Sequence, residues 1–227
     1  MDAYQYIDEI VSEGKKNCLP AAQAWAEKVE HEPVFYVLAS GPNYGVAYSM
    51  CCCHFMEMQW RHAVCLHTGE YFHGPFETTD KKLPMILLMS EGRTRALDER
   101  CLKFLNTYAE NFIIIDFEKL NGGKSIPSVA EFFNPVVMIP IERYYVSQLA
   151  EKTGHSMDER RYMWKVEVLM IKVIGIGDNV CDQYYPAKIM YPGGQAMNFS
   201  VYAKMLGAKS AYLGVFKKSD RTHYFCS

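Results

Sequence analysis

No CxxC pair occurs anywhere in the chain. The densest thiol run, Cys51-Cys52-Cys53-His54, does not make up for it. Adjacent helical residues point about 100° apart, so three successive thiolates cannot close on one ion, and no bound zinc is expected. Eight cysteines would frame a disulfide scaffold only in a short secreted chain. The opening Met1-Asp-Ala-Tyr-Gln-Tyr lacks the basic and apolar regions of a leader, so the expectation is a cytoplasmic protein with reduced thiols and no disulfides. No apolar run approaches the roughly 20 residues that span a bilayer, so no membrane is expected. Net charge is −2 with no long basic run, which gives no reason to expect nucleic acid. Phosphate and dinucleotide loops are missing too. Asn121-Gly-Gly-Lys-Ser125 lacks the GxxxxGK[ST] spacing, and Gly175-Ile-Gly177-Asp178 has Val180 where a third glycine belongs. No cofactor is expected.

What is present is apolar and periodic. The 227 residues are 49% hydrophobic, enough for one large domain or one and a half. Tyr4 to Lys16 reads as a helix with Tyr6, Ile7, Ile10 and Val11 on one stripe. Leu19-Pro20 opens a second helix, Ala21 to Glu30, which His31-Glu-Pro33 ends. Continuous apolar runs, the mark of buried parallel strands, occupy 34–38, 84–89 and 112–116, with 63–66 and 136–139 as further strands. Helices fall between them: one ending near Trp60 with Met50, Phe55 and Met56 on its stripe, one from Ser90 through Tyr108, and one from Ile141 to Thr153. Strands alternating with helices predict an α/β fold, a doubly wound parallel sheet with helices on both faces.

The chemistry concentrates between Glu57 and Pro75, which holds Glu57, Glu70, His62, His67 and His73. Glu57 falls on the last helical turn, and His67 to His73 lie in the loop after the strand. In open α/β sheets ligands bind at strand ends, which predicts that the helix end and the loop share the ligand side. A Glu and a His meeting there can do general acid–base work; otherwise they are a surface Glu and a loop His that never meet. Ala39-Ser40-Gly41-Pro-Asn43-Tyr-Gly45, between strand and helix, also has two readings. It presents backbone N–H groups to an anion, or it needs Gly for a tight turn.

Leu66-His-Thr-Gly-Glu-Tyr-Phe-His-Gly-Pro-Phe76, with Glu57 upstream, resembles the second half of sugar isomerase (SIS) domain enzymes, and most closely the fructoselysine-6-phosphate deglycases. In that family a helix-end Glu shuttles the sugar proton, and a His in Gly-Glu-x-x-His-Gly-Pro follows sixteen positions later. Here 73 − 57 = 16, which puts the two roles on Glu57 and His73. The resemblance implies a flavodoxin-like SIS domain over 33–167, preceded by connecting helices over 1–32. It also implies a fructosamine 6-phosphate substrate, no metal, and a homodimer in which His73 reaches the neighbouring subunit's site. Ser40, Gly41 and Asn43 become candidate sugar-phosphate contacts. His155 to Glu167 resembles the family's carboxyl-terminal tail. There a Lys that forms a Schiff base in the aminotransferring relatives is matched by Tyr162, a candidate substrate contact that cannot do imine chemistry. His155 is either near the ligand or a surface and capping residue.

Met170 to Asp182, with Tyr191-Pro-Gly193-Gly194-Gln-Ala-Met-Asn198, resembles the start of a ribokinase/PfkB-type sugar kinase, in particular fructoselysine 6-kinase. That implies a partial ribokinase-like segment over 170–216 with Asp178, Gly193, Gly194 and Asn198 as sugar contacts, and an unrelated tail over 217–227. The kinase anion hole is not among these residues, so no kinase activity is expected. The apolar helix face at Val201, Tyr202, Met205 and Leu206 is expected to be loosely packed or to cover the SIS part. Three functional readings follow: a deglycase-type SIS enzyme, a non-catalytic phosphosugar-binding module, or a non-functional fusion fragment.

Overall fold

The computed structural model describes residues 6–121, 129–166, 172–177, 180–184 and 189–214. It divides into two compact units, one up to Arg161 and one from Tyr162. The first unit contains α1 (Ile7–Val29), β1 (Val34–Ala39), α2 (Asn43–Ser49), a π-helical segment (Met50–Met58), β2 (His62–His67) and two short 3-10 turns (Tyr71–His73, Pro75–Thr78). Then come β3 (Met85–Met89), α3 (Arg95–Tyr108), β4 (Phe112–Asp116), α4 (Phe117–Asn121) and α5 (Ala130–Thr153).

Four strands form one parallel sheet in the order β2-β1-β3-β4. Side chains alternate across each strand, so the apolar runs feed two cores. Phe35, Val37, Ile86, Leu88 and Ile115 face the core shared with α1, α2, the π-helical segment and α5. Leu38, Met85, Leu87 and Met89 face a second core with Tyr71, Cys101 and Leu105. Both faces are therefore covered, as the strand–helix alternation predicts. All five residues of β3 are buried because it is flanked by strands and covered on both sides.

Trp25 knits the first core together. Its ring lies 6.1 Å from Phe35, 6.4 Å from Phe55 and 5.9 Å from Tyr145, which joins α1 to β1, the π-helical segment and α5. Phe35 and Phe55 stack at 4.4 Å.

Two expected elements differ from those observed. The break at Leu19-Pro20 does not occur: α1 runs unbroken through Pro20. Proline removes one helical hydrogen bond, and the carbonyl it orphans belongs to the exposed Lys16. The buried stripe Ile10, Gly14, Ala22, Trp25, Ala26 and Val29 holds both halves against α5. Gly14 allows the close approach, since a Cβ there would lie 2.9 Å from Ile141 Cδ1.

The expected strand at 136–139 is also helical, inside α5. A four-residue apolar run does not distinguish a strand from a buried helix turn. Here Val137, Met138, Ile141, Tyr145, Val146 and Leu149 are buried at helical spacing. Pro135 within α5 leaves the Glu131 carbonyl without its helical donor. The fully buried Asn134 replaces it, donating Nδ2–H to Glu131 O at 3.1 Å and to Glu91 O at 2.8 Å. Its Oδ1 accepts the Glu91 N–H at 3.1 Å. Asn134→Ala strands these buried groups and should cost roughly 1–3 kcal/mol, seen as a lower urea midpoint with an unchanged slope.

The helix after α2 is π rather than α. Its buried residues, Met50, Cys51, His54 and Phe55, recur at four to five positions, matching the wider turn. Met56, expected on the buried stripe, is exposed, and Trp60 lies beyond the helix at φ +53°. Cys51 is buried and Cys52 and Cys53 half-buried, each a free thiol.

The second unit contains β5 (Lys172–Ile176), β6 (Val180–Tyr184), β7 (Ile189–Gly193), α6 (Gln195–Met205) and β8 (Lys209–Leu213). β5 pairs with β8 in parallel and β6 with β7 antiparallel. Val201, Tyr202, Met205 and Leu206 are exposed.

Candidate active site

At the carboxyl ends of β1, β2 and β3 the sheet carries a sealed polar network. Asp98, fully buried on α3, accepts Thr68 Oγ1–H at 2.8 Å and the Ser90 N–H at 2.9 Å. Burial pushes its carboxyl above the usual range, against the lowering effect of those donors. Ser90 donates to Ser40 O at 3.1 Å, and Ser40 donates to Thr94 O at 3.3 Å. Gly41 has φ +50°, and a Cβ there would lie 2.5 Å from Thr94 Oγ1, so this position requires Gly for geometry. Arg95 closes the crevice with both terminal nitrogens on Asp116, at 2.9 and 3.1 Å. Of the three candidate contacts here, Ser40 and Gly41 also hold the loop against Thr94 and Ser90. Asn43 is fully buried with both amide atoms unpartnered.

Glu57 lies elsewhere. From Asn43 the helix runs back along the sheet, and Met58 precedes the turn into His62, which pairs with Val34 at the start of β1. Glu57 is therefore at the amino edge of the sheet. His73 is exposed in the 3-10 turn after His67, which pairs with Ala39 at the carboxyl edge. The length of β2, roughly 17 Å at about 3.3 Å per residue, separates the two edges. The expectation that both share the ligand side fails because the helix carrying Glu57 traverses the whole sheet.

The tail after α5 wraps the Glu57 end. Arg160 Nε donates to Glu57 Oε1 at 2.9 Å, and its Nη1 donates to Met157 O and Glu159 O at 2.8 and 2.9 Å. Gln59 donates to His155 O at 3.1 Å. His155 packs edge-on against Trp60 at 4.4 Å, and the Arg161 guanidinium lies 4.2 Å from the Trp60 ring centre. His155 thus sits in the same cluster as Glu57. One turn before Glu57, His54 Nδ1 lies 2.8 and 2.9 Å from the two oxygens of Glu142, and both residues are buried. Burial pushes the Glu142 carboxyl up to about 7.

That shift has a stability consequence. A carboxyl raised on folding contributes stability fully below its unfolded pKa and loses it as pH rises through its folded value. The unfolding free energy should fall by roughly 2–3 kcal/mol between about pH 4.5 and 7.5, and Glu142→Gln should remove that fall. Denaturant midpoints measured across this range test it.

Arg160 and the His54–Glu142 pair were not picked out in the sequence. The partners are 103 and 88 residues apart, beyond any local pattern. Among the described residues no group of three His, Cys, Asp or Glu side chains is placed to hold a metal, and no helix is long and apolar enough to cross a membrane.

In the second unit, a cleft of about 680 Å³ is lined by Gly175, Gly177, Gly194, Gln195 and Phe199, among others. Gly193 ends β7, and Gly194, at φ +104°, caps α6, whose Asn198 N–H bonds Gly194 O at 2.9 Å. The Asn198 side chain is exposed. Asp178 lies outside the described residues. Tyr162 is exposed, and its carbonyl accepts the Lys165 and Val166 N–H groups at 2.9 Å.

A crystal structure of a candidate phosphosugar isomerase from Bacillus subtilis matches 73% of this chain and 51% of its own, with a TM-score of 0.71 and 38% identity. The chain has a phosphosugar isomerase fold. A second candidate phosphosugar isomerase, from Salmonella typhimurium LT2, matches as well, with a TM-score of 0.71 and 37% identity over 73% of this chain and 51% of its own. Fructosamine deglycase FrlB of B. subtilis is 43% identical over 146 residues, 64% of this chain and 44% of that protein. Fructoselysine 6-phosphate deglycase of Escherichia coli K12 is 31% identical over 132 residues, 57% of this chain and 37% of that protein. The chain thus spans less than half the length of these two curated relatives. A short stretch is 49% identical over 45 residues to fructosamine kinase FrlD of B. subtilis, 20% of this chain and 16% of that protein. No family model matches.

Proposed function

We propose that the phosphosugar isomerase unit is the catalytic half of a cytoplasmic fructosamine-6-phosphate deglycase. The reaction is fructoselysine 6-phosphate plus water to glucose 6-phosphate plus lysine. The observation that carries this reading is the 43% identity to fructosamine deglycase FrlB over 146 residues. Glu57 removes the C1 proton of the open-chain ketosamine, giving an enaminol. Return of a proton at C2 yields the imine of glucose 6-phosphate, and water releases the amine. His73 is the partner acid–base group.

The separation of Glu57 and His73 within one chain supports a homodimer in which each active site draws its His from the neighbouring copy. Arg160, bonded to Glu57, holds that carboxylate in one orientation. The part of the relatives' length that this chain does not span would supply the rest of the sugar-phosphate contacts. The second unit resembles part of a sugar kinase, and its cleft at Gly194 is the candidate sugar-contact site.

The test gives fructoselysine 6-phosphate to the full chain, alone and mixed with the amino-terminal half of the B. subtilis relative, and follows glucose 6-phosphate and lysine. Release in the mixed sample is the expected result. Release in neither sample, when the two halves are shown to associate, overturns the reading.

A further inference from the structure

We infer that the buried His54–Glu142 pair is a positioning device for Glu57, setting the roll of the π-helical segment through α5. Three observations carry this. First, His54 and Glu57 lie three residues apart in one π-helical segment, where a small rotation of the helix redirects every side chain on it. Second, the pair is buried in an otherwise apolar core, with Glu142 fully buried and His54 5% exposed. A buried ion pair contributes little net stability over an apolar replacement, because both groups give up water. What it contributes is direction: the imidazole edge must face the carboxylate. Third, the other anchor of Glu57 comes from the same side of the molecule. Glu142 is in the middle of α5, and Arg160 follows on the tail after α5. The segment is held at two points by one continuous stretch of chain, one contact on each side of the Phe55–Met56 dipeptide.

The charged and titratable neighbours that act on Glu142 are His54, Arg143 and Cys51. With the carboxylate ionised, His54 Nδ1–H donates to it. When Glu142 is protonated, that donor–acceptor arrangement reverses or breaks, and the anchor loosens. The importance of this for turnover rests on the proposed deglycase reading; the positioning itself does not.

The test reads the Glu57–Arg160 contact directly, by ¹⁵N NMR of the Arg160 Nε–H in the full chain. In the unaltered protein this resonance should move with pH, with a midpoint near the value of about 7 reached by Glu142. Glu142→Gln, a neutral mimic of the protonated acid, should hold the resonance at its low-pH position across the range and lose the pH step. The double variant His54→Leu, Glu142→Leu should keep or gain thermal stability while losing the bonded Arg160 signal. A purely structural pair would leave that signal in place. The inference is overturned if the folded double variant retains the native Arg160 resonance, or if the unaltered chain shows no step that Glu142→Gln removes. Should the double variant fail to fold, the pH step alone decides. Absence of deglycation with a normal Arg160 response would refute the functional reading and leave the positioning intact.

Discussion

Glu57→Gln in the complemented protein should lower turnover by on the order of 10²–10⁴-fold, as should His73→Asn, the usual range for one acid–base group. Gln keeps the shape of Glu and can still accept the Arg160 Nε–H through its carbonyl oxygen, so the loss would report basicity rather than collapse. The two inactive proteins mixed together should regain part of the activity. Glu57 and His73 sit at opposite edges of one sheet, so a site that uses both must take them from different copies. A mixed dimer of the two variants then holds one site with both native groups and one with neither. Near-native turnover in either single variant would remove that residue from the acid–base role. Loss in both with no recovery on mixing, despite proven subunit exchange, would refute the shared site.

The second large effect is on stability. Trp25→Ala should cost about 3–5 kcal/mol, the range for emptying a large aromatic position in a packed core. Trp25 is 5% exposed and touches the rings of Phe35, Phe55 and Tyr145. Its removal therefore opens a cavity where four elements meet, and none of them can collapse inward without disturbing the others. Because the π-helical segment is one of those elements, amide exchange around Phe55 should accelerate with it. A denaturant midpoint within the error of the parent protein would show that α1 is not part of the cooperative core.

The strands were the readable part of the fold. Val34 to Leu38, Pro84 to Met89 and Phe112 to Ile115 are dominated by apolar residues because the sheet is covered on both faces. The helices were read less well wherever proline intervened. Pro20 reads as the opening of a second helix, but tertiary packing carries α1 through it, and at Pro135 the Asn134 amide makes up for the lost bond. The run at 136–139 carried no signal to separate strand from helix, since the burial that decides it comes from α1, more than a hundred residues earlier.

The site was legible as a local motif and illegible as geometry. The spacing of Glu57 and His73 is in the chain, but their placement on opposite edges follows from how far the helix after Asn43 runs. Arg160 and Glu142 become partners of Glu57 and His54 only when α5 folds back against the sheet. Ser40 donates to the Thr94 carbonyl, and Gly41 packs close against the Thr94 side chain, on the neighbouring loop. No pattern at positions 39–45 reveals that loop.

The helical state of residues 136–139 has one more consequence. Among the described residues β4 has a strand on one side only, that of β3. In the sheet order no strand lies on its other flank, and Phe112-Ile-Ile-Ile115 holds no lysine and no proline to discourage a newcomer. An apolar edge of this kind is a template for strand addition. Edge-to-edge pairing through β4 should therefore be an association separate from the proposed active dimer, and it should grow as the protein is concentrated. A single lysine on the outward side of that strand would oppose it.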